Sequence, residues 1–282
     1  MMLHHKRQQQ GFTLVELMVS ILISTIMIGV ALSQLIGSRT LFALQEADSR
    51  IEENARYALE VLTSNIRMAS FVDINDGTQA TVTGQFFSTN CTGTLAFNPC
   101  TEDGATTTGT STDSDHFAVW YNPPATNEVD CSGNALPTAN TATSVANVFY
   151  TDADGLRCAS YAVSSSNTAT YIADSDQAII DGIENMQIQY GITDQSYGST
   201  VPVRYISAAT VNGIGSNATL REKWASIMSV RVTILAGTGI NDGLDQAASK
   251  TYTVSDAPPM TFSDGNRRKI FSSTVAINNA NL

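Results

Sequence analysis

Histidine is scarce in this chain of 282 residues: three occur, and His4 and His5 stand within the first five positions. A Ser-His-Asp or Cys-His arrangement in the body of the protein would therefore have to use His116. G-x-S-x-G, the P-loop, G-x-G-x-x-G and H-E-x-x-H are all missing. No cofactor and no enzyme activity are expected, and His116 is read as a strand-edge residue. Basic side chains are few too, 15 against 26 acidic ones, for a formal net charge of −11. A nucleic-acid partner needs a basic patch to neutralise phosphates, so that class is excluded. The carboxylate pairs Asp113/Asp115 and Asp174/Asp176 lie in polar runs, with nothing apolar at hand to shift a pKa.

Four cysteines are present, Cys91, Cys100, Cys131 and Cys158. None forms a C-x-x-C pair and only His116 is near, which argues against zinc. An even count on an oxidising side of a membrane favours disulfides. Three connectivities are possible, and proximity in sequence favours Cys91–Cys100 with Cys131–Cys158. Asp73, Asn75 and Gly77, like Asp152, Asp154 and Gly155, look like fragments of a calcium loop. The position eleven after Asp73 is Gly84, so no EF-hand results, and solvated turns are expected at both places.

What the chain does have is one long apolar run. From Phe12 to Ile36 there is no proline and a single charge, Glu16. As a helix these residues would be roughly 37 Å long, enough to cross a bilayer core of about 30 Å with some tilt. Lys6 and Arg7 precede the run, which places the N-terminus in the cytoplasm and the remainder outside. A secretory signal would carry a small-residue cleavage site after the run, and no A-x-A pattern stands there. A carboxylate within an apolar helix costs up to about 3 kcal/mol on insertion scales, so Glu16 calls for a partner.

Beyond Ile36 the pattern changes. Leu44, Ala47, Ile51, Ala55, Ala58, Leu62, Ile66 and Ala69 recur at spacings of three or four, one face of a helix. Glu46–Arg50, Glu52–Arg56 and Arg56–Glu60 occupy the other face at i, i+4. Gly29 and Gly37, with Ser33 between them, are where this helix would bend. Residues 78–114 form a long Thr-, Ser- and Gly-rich insertion. Alternating strands are expected at Phe117–Tyr121, Val145–Tyr150, Leu156–Val163, Met186–Ile192, Met228–Ile234 and Ile270–Ile277. A short helix is expected at Leu220–Ala225, and Arg267, Arg268 and Lys269 are expected to form a solvated turn.

Gly11-Phe12-Thr13-Leu14-Val15-Glu16, followed by an apolar helix that is kept, resembles the class III leader of type IV prepilins and pseudopilins. The resemblance implies cleavage between Gly11 and Phe12 by prepilin peptidase and N-methylation of Phe12. It also implies that Glu16, the fifth mature residue, pairs with a neighbouring subunit's N-terminal amine during assembly. Removal of Lys6 and Arg7 would take the formal charge from −11 to −13. Downstream, residues 179–191, 224–235 and 267–279 resemble PilW-type minor pilins. Many major pilins have proline where Ser33 stands here, so their kink is not carried over.

The implied fold is α+β. A long N-terminal pilin-like helix, its N-terminal half transmembrane, would pack on an antiparallel β-sheet domain with disulfide-closed loop insertions. The implied divisions are a leader over 1–11, a membrane or filament-core helix half over 12–36, an amphipathic half over 37–70 and a β-rich extracytoplasmic head over 71–282. The implied role is a minor pilin that helps initiate type IV pilus assembly in a tip complex, supporting twitching motility and adhesion. Its partners would be other minor and major pilins, prepilin peptidase and the inner-membrane assembly platform. It would reside in the inner membrane before assembly and in the fibre afterwards. A type II secretion pseudopilin shares the leader, and a tip adhesin would use the Ser/Thr-rich loops of 78–144.

Overall fold

A computed structural model describes residues 11–71, 86, 100–104, 114–122, 129–134, 136, 144–164, 169–193, 202–214, 223–238 and 249–277. Cys91, Asp113, the expected turn at 73–77 and most of the 78–114 insertion lie outside them. Helix α1 spans Leu14–Met68 and continues through Gly29, Ser33 and Gly37. The chain divides into two compact units at Glu46/Ala47. All packing described in this subsection belongs to the second.

There the expected apolar stripe of α1 is the centre of the core. Ile51, Ala55, Ala58, Leu62, Ile66 and Ala69 are each at most 1% exposed. Three alanines among them let the strands come close to the helix axis, while Ile51, Leu62 and Ile66 fill the space between. Full burial of each large side chain contributes about 1.5–3 kcal/mol.

Two antiparallel sheets supply the rest. The first runs β1 (Phe117–Tyr121), β2 (Ser144–Asp152), β3 (Gly155–Val163) and β4 (Ala169–Tyr171), with β5 (Gln177–Ile180) also paired to β3. The second has the order β11 (Arg268–Ala276), β8 (Ile227–Gly237), β6 (Ile183–Ile192), β7 (Arg204–Ile206). A short helix, α2 (Ala208–Gly213), follows β7, and a ribbon of β9 (Lys250–Tyr252) and β10 (Met260–Phe262) covers Leu235 of β8. Phe117, Val119, Phe149, Leu156 and Cys158 of the first sheet join Met186, Ile188, Tyr190, Val230, Val232 and Ile234 of the second in one cluster with the helical stripe.

The hairpin expected around Asp152–Gly155 is present, with Asp152 opposite Gly155. Gly155 has φ +117, and a Cβ there would meet the carbonyl oxygen of Ile180. Only glycine suits that position. The strand expected to be half-buried at Met186–Ile192 is buried over most of its length, whereas β11 does alternate. All five residues of β1 are buried, because Ala118 and Trp120 join Ala146, Val148, Ala159, Tyr161 and Val163 in a second cluster on the far side of the sheet. Of the helix expected at Leu220–Ala225, the described part carries Trp224 into the core. Its ring packs edge-on against Tyr190 at 4.8 Å, and its indole N–H donates to Asn212 Oδ1 at 2.9 Å.

The basic triplet is not a solvated turn. Arg267 pairs with Asp48 at 3.0 Å and Lys269 with Glu52 at 2.9 Å, both on α1. Arg268 donates to Glu184 on β6 and reaches Asp264 at 2.6 Å, with its side chain only 4% exposed. Its guanidinium also lies 3.8 Å from the Phe262 ring centre. The three cations tie β11 to α1 and β6, which local sequence could not indicate because every acidic partner except Asp264 is remote. Burial pushes the Glu184 carboxyl up even against the attraction of Arg268. Arg268→Met should therefore cost about 3 kcal/mol by leaving Glu184 buried and unpaired. Lys269→Ala, at a half-exposed pair, should cost less than about 1 kcal/mol. Urea unfolding of the two variants in detergent checks the contrast, and equal losses would refute it.

Candidate functional site

The N-terminal segment is a helix start placed just after the expected processing point. Gly11, Phe12 and Thr13 precede the helix and are exposed, Phe12 at 84%. Thr13 caps α1: its Oγ1 accepts from the Glu16 N–H at 3.3 Å, and its carbonyl accepts from Leu17 N–H at 3.2 Å. Glu16 thus lies in the first helical turn, where a carboxylate suits the positive end of the helix dipole. The large apolar side chains from Phe12 through Ile36 are all exposed. Within this run Ser20, Ser24, Thr25 and Ser33 donate to carbonyls three or four residues back, at 2.7–2.9 Å. Their hydroxyls are satisfied inside the helix, so the outer surface needs no other polar partner for them. A helix of this kind, long and apolar enough to cross a membrane, is present once among the described residues.

Of the cysteines, Cys131 and Cys158 are joined in a disulfide. Cys100 is buried and disulfide-bonded, and its expected partner, Cys91, is outside the described residues. Cys100 Sγ lies 3.1 Å from His116 Nε2, and Glu102 approaches the same ring nitrogen at 3.9 Å. Cysteine, histidine and glutamate within 4.8 Å of one another are metal-ligand types. With the sulfur committed to a disulfide, however, no thiolate is on offer, and the donors shrink to an imidazole and a half-exposed carboxylate. His116, expected at a strand edge, directly precedes β1 and is bridged antiparallel to Glu102. Burial lowers it to about 4, so the ring is neutral at physiological pH.

Asp115 contradicts the expectation of an unperturbed loop carboxylate. It is 4% exposed, and burial pushes its carboxyl up to about 8. Opposing that shift, its Oδ1 accepts from the Gly104 N–H and its Oδ2 from the Ile188 N–H, each at 2.7 Å. Strand parity was the signal: Asp115 shares its side of the chain with Phe117 and Val119, so it must face the core. The segment 100–104 is fastened further by Asp103, which accepts from Ala208 and Ala209 N–H at 2.7 and 2.9 Å and so caps α2. These groups join four segments of chain, and both oxygens of Asp115 are taken up by backbone. Asp152 and Asp154 are likewise engaged. Asp152 accepts from the Asp154 N–H at 2.8 Å in the hairpin turn, and Arg157 pairs with Asp152, Asp154 and Asp176.

Comparison with known proteins gives two family matches. Residues 141–279 match the family model described as Type IV Pilus-assembly protein W, and residues 6–32 match the prokaryotic N-terminal methylation motif. No curated protein matches. A type IV-like pilin from Thermus thermophilus is similar in structure, with a TM-score of 0.46 and 12% identity over 82% of this chain and 97% of that one. A methylation motif at the head of an apolar anchor helix, and a β-rich domain built on that helix's amphipathic second half, define a membrane-anchored subunit of the pilin class. More narrowly, the chain is a type IV pilus minor pilin of the PilW type.

The buried acid and imidazole make stability depend on pH in opposite windows. Folding raises Asp115 from an ordinary 3.8 to about 8, so stability is lost as pH climbs through that interval. Folding lowers His116 from 6.5 to about 4, so its contribution is lost as pH falls through that interval. Of the two, only Asp115 acts between pH 6.5 and 8. Urea midpoints should fall over that range in the native protein and stay level in Asp115→Asn. The variant should also lose about 1–3 kcal/mol at pH 6.5, because an amide accepts only one of the two backbone bonds. An undiminished slope in Asp115→Asn would overturn the assignment.

Proposed function

We propose that this minor pilin acts early in pilus assembly, within a complex of minor pilins at the fibre tip, and that twitching motility and adhesion depend on it through the fibres it helps to start. The observation that carries the proposal is the capped helix beginning at Leu14. It directly follows an exposed Gly11-Phe12 pair and presents an apolar surface broken by the one charge of Glu16. Prepilin peptidase cuts between Gly11 and Phe12 and methylates Phe12, leaving residues 1–11 as a discarded leader. The 12–36 half anchors the chain in the inner membrane with the β-rich part in the periplasm. On assembly, which needs the inner-membrane platform, that half exchanges lipid for the helices of other pilins. No step requires catalysis by this chain.

In this scheme Glu16 sets register. Lipid tails are as apolar as the helix surfaces they would be exchanged for, so the exchange itself discriminates poorly between alignments. A carboxylate in that surface does discriminate, because it is tolerated only where it meets the N-terminal amine of a neighbour. Glu16→Ala should leave leader cleavage at its normal extent, read by the size shift on a gel. It should reduce incorporation into sheared fibres by about tenfold or more, the factor for losing about 1.4 kcal/mol. Normal incorporation would refute the role of Glu16.

A deletion strain separates this function from the related secretion systems. Surface pilus number and twitching should collapse while exoprotein secretion continues. The reverse pattern would place the protein in type II secretion, and normal pili lacking attachment would make it an adhesin.

A further inference from the structure

The second sheet ends on an open edge. β11 runs nine residues against β8 without a break in register. The Arg267 carbonyl accepts from Thr238 N–H, and Ile277 N–H donates to the Met228 carbonyl, so odd-numbered residues turn their backbone to β8. The N–H and C=O groups of Ile270, Ser272, Thr274 and Ala276 turn the other way and meet no hydrogen-bond partner among the described residues. All four residues are exposed, Ile270 at 42%. The free side of β1, by contrast, is occupied. Phe86 bridges Val119 there, Glu102 bridges His116, and the Trp120 carbonyl accepts from Ser70 N–H.

Natural sheets guard such an edge with lysine, proline, a bulge or a short strand. The stretch from Ile270 to Ala276 has none of these. The cations at the start of the strand already pair with Asp48, Glu52, Glu184 and Asp264, so no charge there recruits an acidic peptide. We propose that β11 takes up an added strand, an uncharged extended segment of a different pilin subunit. Main-chain bonds would supply the affinity, and the alternating side chains of Ile270, Ser272 and Thr274 the fit.

Two observations select a different subunit over a second copy. Arg267 meets Asp48 and Lys269 meets Glu52, one helical turn on, so β11 runs in the direction of α1. Copies standing with residues 47–68 of α1 parallel would present β11 parallel too, yet every ladder among the described residues is antiparallel. Parallel pairing is also the weaker kind. β7, at the other edge of the sheet, does run against β11 but is only three residues long. The proposal rests on the assembly role argued above and names a surface that serves it.

Hydrogen exchange on the full chain, alone in detergent and in the complex co-purified with other minor pilins, tests this. Alone, the amides of Ile270, Ser272, Thr274 and Ala276 should exchange freely. In the complex they should slow about tenfold or more, the factor for a hydrogen bond of about 1.4 kcal/mol. Thr274→Pro removes only an outward N–H, and Thr274→Glu sets a carboxylate opposite Arg231. Each should keep the native circular dichroism spectrum and membrane level, lose the slowing, and cut surface pili about tenfold or more. Thr274→Glu decides should the proline variant lose its spectrum. Unchanged exchange in the complex, or normal pili from Thr274→Glu in a strain whose pili vanish on deletion, would overturn the proposal. Slowing in the chain alone at rising concentration, with a dimer by light scattering, would overturn it in favour of a second copy. Normal pili in the deletion strain would instead remove the assembly role, and the exchange result would still decide whether a strand is added.

Discussion

The second unit depends on one buried stripe of α1. Ile51, Ala55, Ala58, Leu62, Ile66 and Ala69 are covered by residues from both sheets at once, so neither sheet has a complete core without the helix. The distribution of sizes along the stripe matters as much as its hydrophobicity. Alanines at 55 and 58 allow close approach, and the larger side chains at 51, 62 and 66 interdigitate with β6, β8 and the inner face of β1–β3. Interiors at crystal-like density tolerate little else.

Polar contacts then orient what the stripe holds together. Asn54, on the same helical segment, donates to both the carbonyl and the carboxylate of Asp181, where the chain passes from β5 in one sheet to β6 in the other. Arg267 and Lys269 reach Asp48 and Glu52 from the far strand, and Arg268 is buried against Glu184. Apolar burial has no direction, whereas these pairs fix which strand lies along which turn of the helix. Asp115 does the same elsewhere in the domain, fastening Gly104 and Ile188 through its two oxygens.

The anchor half of the helix has a different logic. It is apolar all round, its hydroxyls are returned to its own backbone, and its cap lies at Thr13. In the assembly role proposed above, it is the carboxylate of Glu16 that selects a partner from that surface. A helix so constructed sits in lipid or among like helices with similar ease, as a minor pilin's anchor must.

The amino-acid sequence by itself determined what local pattern can carry. This covers the apolar anchor, the change to an amphipathic helix, the β2–β3 hairpin turned at Gly155, and the positions of six of the strands. It also covers the leader motif, because that motif is contiguous. What only the tertiary structure decided is whatever pairs remote residues. Arg268 is an ordinary turn cation until Glu184, 84 residues away, is brought against it. Asp115 is an ordinary loop acid until segment 100–104 and β6 close over it. Asp130 is an ordinary turn acid until its Oδ1 is taken up by two backbone N–H groups and its Oδ2 is buried. Charge and polarity are properties of a residue; desolvation, which decided the character of all three, belongs to its surroundings.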